Sequence, residues 1–269
     1  MRSKPSISCN SEYLKIHPQN FEQINDSKYW LSGDDINAFQ YILSDHRKNS
    51  PFGSLDGFQD VEKLSWEYPI GGTCNNKFVQ ILNVNKNHWI TVSNVFSSDD
   101  NEVCVYDSKQ SAKFPPQLQT LVSSFLRKPG FGFNLVNMLV QQQRGYNDCG
   151  LFACAYATSI VFNQNPVNVI YTQQSLRKHF TEIIKTNNLT VFPYTPKRAS
   201  RYQTVRAVPY LVETYCICKL AALDQSMAMK MAECSECLEY YHDSCVDIPS
   251  NIWTDEQAKY ICPSCNKKQ

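Results

Sequence analysis

Cys149 lies in QQQRGYNDCGLF, where a strand-like segment gives way to an apolar run. Flanked by Asp148 and Gly150, it suits a tight, exposed turn at a helix N-terminus, with Asp148 as the cap. The helix dipole favours a thiolate there, and the thiolate is the nucleophilic form. A purely structural cysteine belongs inside the apolar helix, as Cys154 does. A cysteine nucleophile also needs a base. Of the five histidines, His242 falls among closely spaced cysteines, His17 lies in a polar N-terminal stretch, and His46 and His179 sit among charged residues. His88, in NKNHWITV, stands at the entrance of an expected strand, and Asp107, in VCVYDS, ends the next one. If those strands pair, their ends bring His88 and Asp107 together, with the carboxylate orienting the imidazole.

A second group of chemistry-bearing residues closes the chain. Cys216-x-Cys218 is followed by Cys234-x2-Cys237, His242, Cys245 and Cys262-x2-Cys265. Zinc favours four tetrahedral sulfur or nitrogen ligands, so these eight ligands in four pairs predict two zinc ions. Seven of the twelve cysteines lie from Cys216 onward, and this shift marks a domain boundary. No apolar segment follows the N-terminal MRSKPSISCNSEYLK, so no secretory signal is read there. Cysteines without such a signal point to metal binding and catalysis rather than to a disulfide framework.

The elements that must position these groups are legible as patterns. Ser32 and Asp35 form a capping box ahead of Ile36, Phe39, Ile42 and Leu43, which recur at helical spacing. Residues 47–75 read as a long connection and a candidate for substrate recognition. Strands are expected at Phe78–Val84, Trp89–Val95 and Val103–Tyr106, the last two joined by a hairpin loop, SSDDNE. An amphipathic helix over 115–127 carries its prolines at the start and the stripe Leu118, Leu121, Val122, Phe125 and Leu126. A further strand is expected at Phe133–Val140, an all-apolar central helix at 150–162, and a last helix carrying Leu176, Phe180, Ile183 and Ile184.

Composition bounds the function classes. The chain has 269 residues, 42% of them hydrophobic and 19% charged, which suffices for a core and excludes a disordered chain. The most apolar run, Cys149–Phe162, fits a buried helix better than a membrane span. A net charge of +1 argues against a bulk nucleic-acid binder. From Lys185 to Val212 there is no acidic residue, and Lys197, Arg198, Arg201 and Arg206 make this a basic linker. A nuclear import signal and a nucleic-acid contact are the alternatives to a merely solvated linker.

Taken together, His88-Trp89, Asp107, Gln143 and Asp148-Cys149-Gly150 resemble, in order, the motifs of the SUMO and ubiquitin-like-protein proteases, over roughly 28–190. The resemblance implies an α+β, papain-like (adenain-like) cysteine peptidase with a permuted order of catalytic elements. It implies Gln143 as the oxyanion-hole glutamine, a place its neighbours Gln141 and Gln142 leave to the family spacing alone. It also implies Trp30 and Trp89 as the roof of a narrow tunnel for a Gly-Gly tail, with ordinary core packing as the alternative for either. The family's acidic residue after Trp-Leu is displaced by one position in Trp30-Leu31-Ser32-Gly33-Asp34-Asp35.

The order of four Cys, one His and three Cys over about 213–267 resembles a plant homeodomain (PHD) finger. That resemblance implies a small two-zinc cross-brace. Cys216, Cys218, His242 and Cys245 would hold one structural zinc, and Cys234, Cys237, Cys262 and Cys265 the other. Tyr215, Met231 and Tyr240 match cage positions of methyl-lysine readers, with Tyr240 where such readers often have Trp. The alternation of Met227, Met229 and Met231 suits a strand that could take a peptide strand, and simple packing of the finger is the alternative.

The expected organisation is an irregular lead-in over 1–27, a peptidase domain over 28–194, a basic linker over 195–212 and a finger over 213–269. The expected activity is a thiol peptidase acting on a ubiquitin-like modifier or its conjugates, with no cofactor for catalysis. A histone tail is a second candidate partner, no membrane is expected, and a nuclear, intracellular location is inferred from the two resemblances and the basic linker. The alternatives are a histone-tail-binding module on a non-catalytic scaffold and a processing protease of a viral or mobile-element type.

Overall fold

The computed structural model describes residues 18–53, 55, 57, 77–111, 113–126, 132–198, 207–221, 230–255 and 257–266. Most of the 47–75 connection, His17, Met227 and Met229, and the side chain of Phe125 lie outside them. Among the described residues no helix is long and apolar enough to cross a membrane.

The protein is built on one six-stranded sheet in the order β1-β2-β3-β4-β7-β8. Its strands are β1 (Val79–Val84), β2 (His88–Ser93), β3 (Glu102–Tyr106), β4 (Gly132–Asn137), β7 (Tyr210–Tyr215) and β8 (Leu220–Ala221). Only the β3–β4 pair is parallel. Successive strand residues face opposite sides. Ile81, Trp89, Cys104 and Tyr106 therefore join one core, with α2 (Gly33–Lys48), α4 (Cys149–Val161) and α5 (Gln173–Thr186). Leu82, Ile90, Val103 and Val105 join the other, against α3 (Pro116–Leu126). Strands covered on both faces are buried nearly throughout, and every residue of α4 is buried. A hydroxyl inside that core needs a partner. Thr91 on β2 has one, donating to the Ala153 carbonyl of α4 at 2.7 Å.

The capping box at the start of α2 forms as expected, with Asp35 N–H donating to Ser32 Oγ and Ser32 N–H to the Asp35 carboxylate. The expected strands and central helices are present, with ends shifted by one to three residues. Two expectations are corrected. The lead-in is not irregular throughout, because Pro18–Asn25 forms helix α1, which packs on α5 and buries Ile24. The basic segment 195–212 is strand at both ends. β5 (Val169–Tyr171) pairs with β6 (Tyr194–Pro196), and β7 begins at Tyr210.

β7 crosses the 212/213 boundary expected from the sequence and pairs antiparallel with β4, Gly132 facing Glu213 and Phe133 facing Val212. Gly132 makes this approach possible. At φ +151 a side chain would be strained, and a Cβ would lie 2.1 Å from the Val212 carbonyl oxygen. Ala221 N–H then donates to Ser123 Oγ of α3 at 3.0 Å. Beyond β8 come β9 (Met231–Glu233) and β10 (Tyr240–His242), paired with each other, and the short α6 (Pro263–Asn266).

Candidate active site

His88 is delivered by a tight turn. Asn85 and Lys86 take φ of +55 and +60, the left-handed pair that a type I′ hairpin turn requires, and Asn tolerates that region well. Val84 then faces His88, so β2 begins at the histidine. β3 ends at Tyr106, opposite Thr91, which puts Asp107 just past the strand end beside His88. His88 Nε2 and Asp107 Oδ1 lie 2.7 Å apart. The same Oδ1 accepts the Lys109 N–H at 2.7 Å, which fixes the carboxylate. With Nε2 engaged, Nδ1 is the nitrogen left for Cys149, to which His88 is also hydrogen-bonded.

Burial alone would lower the affinity of His88 for a proton. The hydrogen bonds and charges of Asp107 and Cys149 outweigh burial and push its pKa up to about 9. Near neutral pH the imidazole is therefore held as the cation. Cys149 is the first residue of α4 and is 3% exposed, so the turn expected to be exposed is corrected to a buried one, packed under Leu31 and Trp89. A Cβ on Gly150 would lie 3.1 Å from Leu31 Cβ and 3.2 Å from Trp89 Cδ1, so the first turn of α4 presses against both. The three residues that sequence spacing singled out thus converge.

The three neighbouring glutamines have separate tasks. Gln141 binds the backbone of Tyr171, accepting at 2.6 Å and donating at 3.2 Å. Gln142 accepts from the Gln110 N–H at 2.8 Å and donates to the Asp107 carbonyl at 3.0 Å. Gln143 N–H donates to the Ser108 carbonyl at 2.7 Å, and its Oε1 accepts from Ser108 Oγ at 2.7 Å. The Gln143 carbonyl is thereby pinned. Its amide nitrogen donates to the Gly145 carbonyl at 3.0 Å and keeps a second N–H. Ser108 follows Asp107 directly, so one loop orients both residues.

Asp148 occupies the N-cap position but makes no capping hydrogen bond. Its carboxylate turns instead to Arg177 Nη2 at 2.6 Å and to Gln173 Nε2 at 2.7 Å, so the expected cap is corrected to a buried-side ion pair. Trp89 is 5% exposed, and its indole donates to the Leu31 carbonyl at 2.9 Å. Trp30 is 44% exposed, and its indole donates to Asn147 Oδ1. Of the two tryptophans, Trp30 is therefore the one presented at the surface, beside the loop that precedes Cys149. Tyr146, 69% exposed, lies under Lys109 Nζ, 4.2 Å from the ring centroid. Sequence reasoning passed over Ser108, Asn147, Gln173 and Arg177. The one available signal was Gln173 and Arg177 at helical i,i+4 spacing.

At the other end of the chain, the ligand pairs interleave. Cys216, Cys218, His242 and Cys245 form one group and Cys234, Cys237, Cys262 and Cys265 another, each with its donor atoms within 4.8 Å of one another. His242 Nδ1 is the nitrogen that faces its group, 3.3 Å from Cys218 Sγ and 3.8 Å from Cys245 Sγ. Cys237 Sγ and Cys262 Sγ lie 3.9 Å apart. Tetrahedral zinc with bonds of about 2.3 Å sets its sulfurs about 3.8 Å apart, so the residues fit such an ion. Tyr215 and Tyr240 meet edge to face, ring centroids 6.0 Å apart at 90°. Met231 is half-buried, facing His242 across β9 and β10.

No family model matches the sequence, and no curated protein matches it. Among solved structures, the chain is similar to the SUMO protease Ulp1 with its catalytic cysteine oxidized to a sulfenic acid. The identity there is 18% over 66% of this chain and 87% of that one, with a TM-score of 0.49. It is similar to the C-terminal Ulp1 protease domain in complex with Smt3, the yeast ortholog of SUMO, at 16% identity over 63% of this chain and 82% of that one, TM-score 0.44. It is also similar to the Chaetomium thermophilum Ulp1-like SUMO protease catalytic domain, at 16% identity over 58% and 71%, TM-score 0.44. The neighbours are thus Ulp1-like SUMO protease catalytic domains.

Proposed function

We propose that the chain is a cysteine peptidase that cleaves behind the C-terminal tail of a ubiquitin-like modifier of the SUMO kind, with a zinc-binding finger fused to its catalytic sheet. The observation that carries this reading is His88 bridging Asp107, at 2.7 Å, and Cys149 at the first position of α4. A half-buried imidazole between a carboxylate and a thiol has the ordered roles of nucleophile, base and orienter. The modifier as substrate rests on the motif resemblance of His88-Trp89, Asp107, Gln143 and Asp148-Cys149-Gly150.

The Cys149 thiolate attacks the carbonyl carbon of the tail's last residue. The carbonyl oxygen becomes an oxyanion, and the free N–H of Gln143 and the Cys149 backbone N–H are the donors for it. Collapse of this intermediate breaks the carbon–nitrogen bond, and the His88 cation gives its proton to the leaving amine. A thioester remains on Cys149. Water, deprotonated by the now neutral His88, hydrolyses it, and Cys149 leaves as the thiolate beside the imidazolium, restoring the starting pair. Asp107 holds the ring in place throughout and keeps its charge. Zinc held by the two four-residue groups would supply folding free energy to the finger and take no part in these steps.

The finger has a second role in this reading, as a peptide clamp formed by Tyr215, Tyr240 and Met231. The edge-to-face pair of Tyr215 and the exposed Tyr240 supports it, since two perpendicular rings make a half-open cage suited to an alkylammonium group. Such a peptide would have the chemistry of a methylated histone tail.

The test is labelling by C-terminal electrophile probes built on SUMO, ubiquitin and other ubiquitin-like proteins, with Cys149→Ala as control. A mass increase with one probe, lost in the variant, is expected. No adduct with any probe on folded, zinc-loaded protein would refute the modifier-peptidase reading. The clamp is tested separately by titrating a trimethyl-lysine peptide, with Tyr240→Ala expected to abolish binding.

A further inference from the structure

Arg177 is a buried cation on α5, and its guanidinium binds four groups that are far apart in the chain. Nη1 donates to the Ile24 carbonyl at 2.9 Å. Nη2 donates to the Tyr29 carbonyl at 2.8 Å, the Asn147 carbonyl at 3.2 Å and Asp148 Oδ1 at 2.6 Å. One turn earlier on α5, Gln173 binds the same loop. It accepts the Arg144 N–H at 2.9 Å and donates to the Arg144 carbonyl at 2.8 Å as well as to Asp148 Oδ2. Asn147 completes the joint, donating from Nδ2 to the Ser27 carbonyl at 3.1 Å while its Oδ1 accepts from Trp30. The segment 24–30 and the loop 144–148 are therefore sewn together around one side chain.

The charges matter as much as the geometry. Asp148 directly precedes Cys149, and an uncompensated carboxylate there opposes a thiolate. A buried guanidinium in turn requires an anion. The other charged or titratable groups on elements packed around the nucleophile are already engaged. His88 on β2 is bound to Asp107, and Asp35 on α2 accepts from Ser32 and from Tyr29 Oη. Cys154, further along α4, is a buried thiol whose pKa burial pushes up, and Arg177–Asp148 is the ion pair that adjoins Cys149 in the chain.

We infer that Arg177 is the positioning residue of the nucleophile: it cancels the charge of Asp148, pins the Asn147–Asp148 backbone, and thereby sets thiolate formation at Cys149. The inference rests on the reading of Cys149 as nucleophile.

The experiment measures the rate at which iodoacetamide alkylates Cys149 in the full chain, by peptide mass spectrometry, from acid to alkaline pH. It needs no substrate. Removing the cation in Arg177→Met should move the pH profile up by about one unit or more, and removing the anion in Asp148→Asn should move it down. The double variant should return to within about half a unit of wild type, and Arg177→Lys, which keeps the charge, should do the same at a reduced rate. A role in stability alone would lower melting temperatures without shifts of opposite sign. Reactive wild-type Cys149 with unmoved profiles in both single variants overturns the inference. Should Arg177→Met fail to fold, Asp148→Asn decides: a downward shift supports the inference, and no shift or an upward one overturns it. A wild-type Cys149 no more reactive than a free thiol at every pH overturns the nucleophile reading itself, and the Arg177 role with it.

Discussion

Asp107→Asn removes the charge that holds His88 protonated while keeping the size of the side chain. In the wild type the histidine stays cationic up to about pH 9, against an ordinary value of 6.5. At pH 7.5 a group titrating at about 9 is about 97% protonated, and one titrating at about 6.5 is about 9% protonated, a roughly tenfold loss of the cation. In the proposed mechanism that cation is the acid the leaving amine needs. Loss of orientation comes on top, and removal of a triad orienter has cost up to about 10⁴ in rate elsewhere. The assay is kcat/KM against pH with a modifier carrying a C-terminal fluorogenic amide. Wild-type activity should fall as a single proton is lost near pH 9. In Asp107→Asn that alkaline limb should move down by up to about two units, with a tenfold or greater deficit at pH 7.5. An alkaline limb at the same pH in both proteins would refute the assignment of Asp107 as the partner of His88.

Gln143→Ala should lower kcat by about 10²–10³ with little change in KM, whereas Gln142→Ala, whose side chain binds the backbone of Asp107, Gln110 and Val140, should lose far less; steady-state kinetics separates them. Gly132→Ala places a Cβ against the Val212 carbonyl and should destabilise the fold by at least about 2 kcal/mol, read by thermal or urea unfolding. Removing metal with a strong chelator should unfold the finger, whose two sites each contribute roughly 10 kcal/mol. Two zinc ions per chain by elemental analysis is the accompanying expectation. Because the folded pKa of His88 is raised, the stability it adds is complete below about pH 6.5 and is lost as pH rises through about 9. After discounting for partial exposure this is about 1–2 kcal/mol, and the corresponding drop in melting temperature should be absent in His88→Gln.

His88, Asp107 and Cys149 were legible because each sits where a local pattern changes: a turn into a strand, the end of a strand, the start of an apolar helix. The same logic explains the metal groups, whose ligands are paired within a few residues. Asp148 misled for the opposite reason. Its neighbour in sequence is a helix N-terminus, but its partners, Gln173 and Arg177, are 25 and 29 residues away. Helix α1 was missed because PQNFEQIN offers only Phe21 and Ile24 as apolar marks, too few to show a period. β7 was missed because its pairing with β4 is a long-range contact that no local pattern encodes. Trp30 and Trp89 look alike in sequence, and only the packing of Leu31 and Gly150 decides which one is buried.

The pairing of β7 with β4 has a consequence for how the chain is made. β4 leads through Met138 to Gln143, so the strand that approaches this glutamine is the one flanked by β7. During synthesis β4 leaves the ribosome with β3 on one side and nothing on the other until Tyr210–Tyr215 emerges. For that interval it is an open edge, the kind of edge that recruits stray strands. Cutting the chain between the expected domains would make the interval permanent. A fragment ending at the basic segment should therefore be prone to aggregate, because the strand that closes this edge of the sheet comes from beyond it.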